Sequence, residues 1–472
     1  MKMTIRWTVA ALICLTPLTA ARAQDVAGVW KGPVTDPQGG TQTLIFDLKV
    51  NAQKVTGFVT TMGPAQPISN GLVVRDQLTF EILMIPPDRG RDTMRIAVSA
   101  KLSANRLEGT ATMPGGPSIP FVLTRAPAGA TSASSSSEAI DAGPPNPQGA
   151  NPRPADAQQA ILAAFASHSV VGGLGVTNKD ADDFILALVR NPDFARTVND
   201  IAIECGNSLY QPVLDRYTSG EEVPLAEVRK AWRNTTQPNC GYAPFYEQLV
   251  ALVRRINVTL PPERKLRVLA CDPPIDWDKV RTANDLTPFM NRDKVIAAVI
   301  EREVLAKHRK ALMPFGINHV RHGLFVPATL EKSYPGAFFV VADYSGLGRS
   351  PRLASFNYLL EQRMVSWPVP SLVMMNETWL ADLPAGYFDE GMEQGQSRGY
   401  PGVDALLYLG PRDLLLQEAI PARVALDSAY IAELQRRAEI RGNPDGPRKT
   451  LQREMESSVL LFDRPRARPG GQ

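Results

Sequence analysis

The chain of 472 residues has only four cysteines and four histidines, and no two cysteines have the close spacing of a zinc knuckle or a thiol redox motif. It has no long basic run interleaved with aromatics, and its net charge is +3, which argues against nucleic acid as a partner. The stretch "GGLGVTNKD" at 172–180 lacks the third glycine of a dinucleotide fingerprint and the Gly-Lys-Ser/Thr of a phosphate loop. "YSGLG" at 344–348 is not the Gly-x-Ser-x-Gly nucleophile elbow. Beyond the N-terminus no segment is long and apolar enough to cross a bilayer, which takes about 20 helical residues.

What is present divides the chain into parts. Its length exceeds one ordinary core, so two or three domains are expected. Lys2 and Arg6 precede an apolar run from Trp7 to Leu18, and small residues follow up to Ala23. This pattern predicts a signal peptide cut after Ala23, hence a periplasmic or secreted protein with no transmembrane segment after cleavage. Residues 24–126 alternate with period two: Leu44, Phe46, Leu48 and Val50 share one face, and Leu78, Phe80 and Ile82 repeat the pattern. About eight such strands, separated by Gly- and Pro-rich turns, predict an antiparallel barrel with no raw edges. "KVTGFVT" and "RLEGTAT" echo each other there, and the shared glycine predicts a bend or a close strand approach. Residues 127–157 are Ser, Ala, Pro and Gly, a composition expected of a disordered linker.

From 158 to 462 short continuous apolar runs alternate with helical segments, leaving a flexible tail at 463–472. The runs are "SVVGGLG", "DIAIECG", "LRVLACD", "ALMPFGI", "AFFVVADY", "SLVMMNE" and "ALLYLGP". Continuous apolar strands are buried on both faces, so the expected fold is an α/β domain with a mainly parallel sheet flanked by helices. Ligands of such sheets bind beyond the carboxyl ends of the strands. The residues placed there are Glu204, Asn207 and Tyr210; Asp272 and Asp276; Asn318, His319 and His322; Asp343; and Asn376 and Glu377. Chain-distant carboxylates with an imidazole are the residue types that activate water or bind a metal, for which Glu204 and His319 are the candidates. Each also has a structural alternative, as a helix cap, a turn or a packed loop residue. Cys205 and Cys271 each end an expected buried strand and so stand as possible neighbours in space, with Cys240 the third cysteine of the mature chain. They would equally serve as small buried apolar residues.

Two resemblances accompany this reading. "GVWKG", the "VTG" and "LEGT" turns and "PFVLTR" resemble the lipocalin-like barrel modules attached to exported bacterial enzymes. "NDIAIECGNSLYQPVLDRY", "LRVLACDPPIDWDKV" and "KALMPFGINHV" resemble ChaN-like or erythromycin-esterase-like α/β domains, a group that also includes TraB and Tiki proteins. Members of that group include hydrolases of esters or peptides and haem- or iron-binding proteins. Their pattern is Gly-Glu-x-His after the first strand, a second Glu after the next, and Gly-x-x-His later. Glu204 matches the second Glu and "GINH" places His319 on the later His. At the first turn Val176 stands where the Glu belongs and Asn178 where the His belongs. Asn178 can hold a substrate or water but is no base near neutral pH.

The expected function is therefore hydrolase-like, on a small ester, amide or peptide, through Glu204 and His319 with Asp272 or Asp276 in support. Asn178, Asn207, Tyr210, Asn318 and His322 are the expected ligand contacts. The alternatives are a binding protein for a small ligand, haem or a divalent metal, and an interaction platform at the cell envelope.

Overall fold

A computed structural model of the chain describes residues 26–126 apart from 36–40, 61–65, 85–93, 104 and 113–117, and residues 149–447 apart from 176–178, 345–359, 377, 384–398, 412–413, 417–419, 443 and 445–446. Val176, Asn178 and Glu377, together with the expected signal peptide, lie outside the described residues.

The N-terminal strands are β1 (Gly28–Thr35), β2 (Thr41–Asn51), β3 (Lys54–Thr60), β4 (Gln66–Val74), β5 (Gln77–Met84), β6 (Met94–Ser103), β7 (Arg106–Thr112) and β8 (Ser118–Arg125). Each pairs antiparallel with the next, and β1 also pairs with β8, so the expected barrel is closed. Its interior is filled. Trp30, Phe46, Leu78, Val98, Leu107 and Leu123 are all buried, and the Phe46 ring meets Phe80 and Phe121 edge-on at 5.2 and 5.3 Å. Burying one such side chain contributes about 1.5–3 kcal/mol. The repeated glycine marks close strand approach in both places. A Cβ on Gly57 would lie 1.9 Å from the Asp47 carbonyl oxygen, and one on Gly109 would lie 2.1 Å from that of Ser99.

The second sheet contains β9 (Ala155–Asp156), β10 (Val170–Leu174), β11 (Asp200–Asn207), β12 (Arg267–Asp272), β13 (Ala311–Phe315), β14 (Phe338–Asp343), β15 (Ser371–Met374) and β16 (Ala405–Tyr408). Their order is β12-β11-β13-β10-β14-β16-β15-β9. The six strands from β12 to β16 in that order are parallel, and β15 runs antiparallel between β16 and β9. All seven apolar runs are strands, and β9 is an eighth that the composition concealed. Residues 149–157, expected as linker, are in fact part of this domain. Ala150 bridges Thr378, β9 pairs with β15, and Asp156 caps the helix Ala157–Ala164 by accepting a bond from the Gln159 amide. A two-residue edge strand carries too little apolar periodicity to stand out in a Pro/Ala-rich stretch.

Two cores cover the two faces of this sheet. Ile201, Ile203 and Cys205 face one with the helix Pro244–Thr259, and Ala202, Leu269 and Cys271 face the other with the helix Arg292–Glu303. This alternation corrects the expected neighbourhood of Cys205 and Cys271. They end adjacent strands but point to opposite faces. Cys205 is instead disulfide-bonded to Cys240, Cα atoms 5.5 Å apart, and Cys271 is a buried free thiol.

Candidate functional site

The strand order puts Glu204 and His319 together. From β11 the chain goes outward to β12, and from β13 it goes the other way to β14. Neighbouring strands whose connections leave in opposite directions open a crevice at their carboxyl ends, the usual ligand position in such sheets. Glu204 is on β11 and Gly316 directly follows β13. The pairing of β11 with β12 shifts register between Ile203 and Asn207, which turns Glu204 out of the regular ladder. One Glu204 carboxylate oxygen accepts the Gly316 amide at 2.9 Å. The other faces His319 Nε2 at 3.4 Å and an Arg292 nitrogen at 3.5 Å. His319 lies on the short helix Ile317–Val320 that starts over β13, and its Nδ1 is 2.6 Å from an Asp293 oxygen.

Arg292 and Asp293 are consecutive, in the first turn of the helix Arg292–Glu303, which Asn291 caps by accepting the Lys294 amide. Arg292 Nε donates to Asp272 at 2.6 Å. Asp272 is fully buried and also accepts the Thr236 amide at 2.7 Å and its hydroxyl at 2.9 Å. The result is a chain of charge, Asp293–His319–Glu204–Arg292–Asp272. Glu204 and His319 are its solvent-reachable members, with side chains 14 and 18 % exposed.

These neighbours set the protonation states. Burial alone would raise the Glu204 carboxyl, but His319, Arg292 and the Gly316 amide outweigh it and lower its pKa to about 2. Burial would lower the His319 imidazole, but Glu204 and Asp293 outweigh it and raise its pKa to about 9. Near neutral pH the ring is an imidazolium between two carboxylates. It can donate a proton or polarise an oxygen, but it cannot act as a base or offer a lone pair to a metal without first losing that proton. Among the described residues no three His, Cys, Asp or Glu side chains are grouped to hold a metal ion.

The other expected residues are placed differently. Asn207 is fully buried and holds loops together, donating to the Asn234 and Ile275 carbonyls at 2.7 and 2.8 Å. The Tyr210 hydroxyl accepts from the Asn234 side chain at 3.0 Å. Asp276 caps its own turn, accepting the Asp278 amide and pairing with Lys279 at 3.0 Å. Asn318 is exposed beside His319. His322 belongs to a separate cluster, with Glu331 at 2.8 Å and Asp404 at 2.9 Å on its two nitrogens. Arg292 and Asp293 were missed in the sequence because "NRDKV" reads as an ordinary capped helix start, where an acid is favoured by the macrodipole in any case.

No family model matches the chain, and no curated protein matches it. A solved structure of a Bacillus cereus protein is similar, at 11 % identity and a TM-score of 0.37, over 62 % of this chain and all of that one. That likeness identifies neither a family nor an activity.

Proposed function

We propose that the α/β domain is hydrolase-like and polarises the carbonyl of a small ester, amide or peptide with the His319 imidazolium. The observation that carries this reading is the Asp293–His319–Glu204 contact at the carboxyl ends of β11 and β13. The short bond to Asp293 holds the ring, and the longer contact to Glu204 is the one a substrate oxygen opens. The Nε2 proton then meets the charge that develops on that oxygen. Removing one such donor costs about 10²–10³ in rate where it has been measured. Glu204 keeps the imidazolium charged, and Arg292 with the Gly316 amide keeps Glu204 ionised. In this reading His319 acts as an acid, within the set of Glu204 and His319 expected to activate water or bind a metal. The match of Glu204 and His319 to the ChaN-like and erythromycin-esterase-like pattern supports it. Export to the periplasm or beyond, from the residues up to Ala23, belongs to the same proposal.

The test is hydrolysis of p-nitrophenyl acetate and alanine p-nitroanilide by the purified mature chain. His319→Gln and Glu204→Gln are expected to lose about 10²-fold or more in kcat. Variants as active as the parent would sink the reading. A parent that binds but never turns over would favour the small-ligand protein instead.

A further inference from the structure

The short helix that carries His319 rests on the sheet at a place where β10 has no side chain. Side chains alternate along β10. Val171 joins the core beside the helix Pro244–Thr259, and Val170 joins the core beside the helix Arg292–Glu303. Gly172 therefore opens toward the second of these, which Val320 also joins. Val320 directly follows His319 and is fully buried. A Cβ on Gly172 would stand 3.1 and 3.2 Å from the Val320 Cβ and Cγ1 atoms and 3.6 Å from Cγ2. The three nearest atoms thus all belong to one side chain.

Gly173, the next residue, is small for another reason. Its φ of +101° is left-handed, and a Cβ on it would lie 2.0 Å from the Val341 carbonyl oxygen, so the close approach of β14 demands a glycine there. Gly172 is outside the left-handed region, and the group that meets its missing Cβ is Val320. The two adjacent glycines of "VVGGLG" therefore answer two separate needs, one of the strand beside them and one of the helix above them.

The helix is tied at both ends. At its start the Gly316 amide is bonded to Glu204 at 2.9 Å. Beyond its end the His322 amide donates to the Gly402 carbonyl at 3.1 Å, and the His322 ring is held by Glu331 and Asp404. A methyl placed under Val320 therefore acts on the residues between these ties, and His319 is one of them.

We propose that Gly172 is a positioning residue of this site: the notch left by its missing side chain seats Val320 and so sets the distance of the His319 ring from Glu204. This rests on the hydrolytic reading above for its effect on rate, whereas its effect on the charge of the ring needs no substrate. Filling the notch makes Val320 give by a few tenths of an ångström, and a β-branched side chain in a helix has no second rotamer to escape into. Glu204 belongs to the sheet and Asp293 to a helix packed on it. Lifting the ring off the sheet lengthens the 3.4 Å contact to Glu204 before the 2.6 Å contact to Asp293.

The experiment compares the parent, Gly172→Ala, Val320→Gly and the double variant by the NMR titration of His319 and by hydrolysis of p-nitrophenyl acetate. In Gly172→Ala the His319 midpoint should fall below the parent's value near 9, toward that of Glu204→Gln. Its kcat should drop roughly 3–10-fold with KM little changed, since about 1 Å of misplacement can cost about 10²-fold. Val320→Gly alone unseats the helix and should lower the midpoint as well. The double variant moves the notch from the strand to the helix and removes every atom that the new methyl meets, so its midpoint should return toward 9 and part of the rate with it. Two merely structural losses would add instead. A folded Gly172→Ala with the parent's midpoint, or a double variant at or below the lower of the two single ones, overturns the proposal. Should Gly172→Ala fail to fold, the double variant decides alone: it must fold and titrate above Val320→Gly, or the proposal falls. If the parent hydrolyses no ester while these midpoints move as stated, the hydrolytic reading falls and the seating of His319 stands.

Discussion

The protonation of His319 is open to direct measurement without any substrate. Its ring sits 2.6 Å from Asp293 and 3.4 Å from Glu204, and its pKa rises from 6.5 to about 9. At about 1.36 kcal/mol per pH unit, that rise corresponds to roughly 3 kcal/mol of preference for the charged ring in the folded state. The side chains are partly exposed, so solvent screening makes this an upper figure. Because the folded pKa is the higher one, the stabilisation is complete below about 6.5 and is lost as pH climbs through about 9. The depressed Glu204 carboxyl reports the same contact from its other end, fully present above about 4.5 and lost as pH falls toward about 2. The α/β domain should therefore be less stable at pH 10 than at pH 6, by up to that amount. The chain has only four histidines, so carbon-13 labelled imidazoles resolve cleanly and His319→Gln identifies the signal. The resonance should titrate near 9 in the parent, and its midpoint should drop toward 6.5 in both Asp293→Asn and Glu204→Gln. A parent midpoint between 6 and 7, unmoved by either substitution, would refute the electrostatic argument.

Arg292→Met should destabilise the α/β domain by about 3–5 kcal/mol in urea unfolding, because it takes the cation away from the fully buried Asp272 carboxylate; Asp272→Asn in the same chain should recover part of that loss. Peptide mapping without reductant should recover Cys205 joined to Cys240 and leave Cys271 as a thiol, and Cys240→Ser should cost about 2–4 kcal/mol. Trp30→Ala should lower the barrel's own unfolding transition by about 3–5 kcal/mol, since its ring is fully buried and its N–H is bonded to Val26, while His319 keeps its titration. Intact-mass analysis of protein exported from a bacterial host should show a chain that begins at Gln24; an uncleaved N-terminus would argue against the signal peptide.

Part of the candidate site was legible before the fold was seen. Glu204, Asp272 and His319 were marked because each follows an apolar run, and strand ends are where such sheets do chemistry. Their partners were not legible. Arg292 and Asp293 sit in a helix start whose sequence explains itself locally, so nothing in it points to a histidine 26 residues further on. Asp276 carries the same residue type as Asp272, four positions away, yet its carboxylate is occupied by its own turn. His322 follows His319 by three residues but faces Glu331 and Asp404.

Sequence alone determined the class of both domains and every strand but the two-residue β9: period-two alternation for the barrel strands, continuous apolar runs for the second sheet, and small glycines where strands approach. These are local properties, set by which side chains a pleat exposes to water. Tertiary structure decided the rest. The insertion of β13 between β10 and β11 brings Glu204 to His319, and the pleat sends Cys205 and Cys271 to opposite faces. The charge on His319 comes from two carboxylates delivered by different elements. Strand order and pKa both arise from contacts between residues far apart in the chain, which no local pattern encodes.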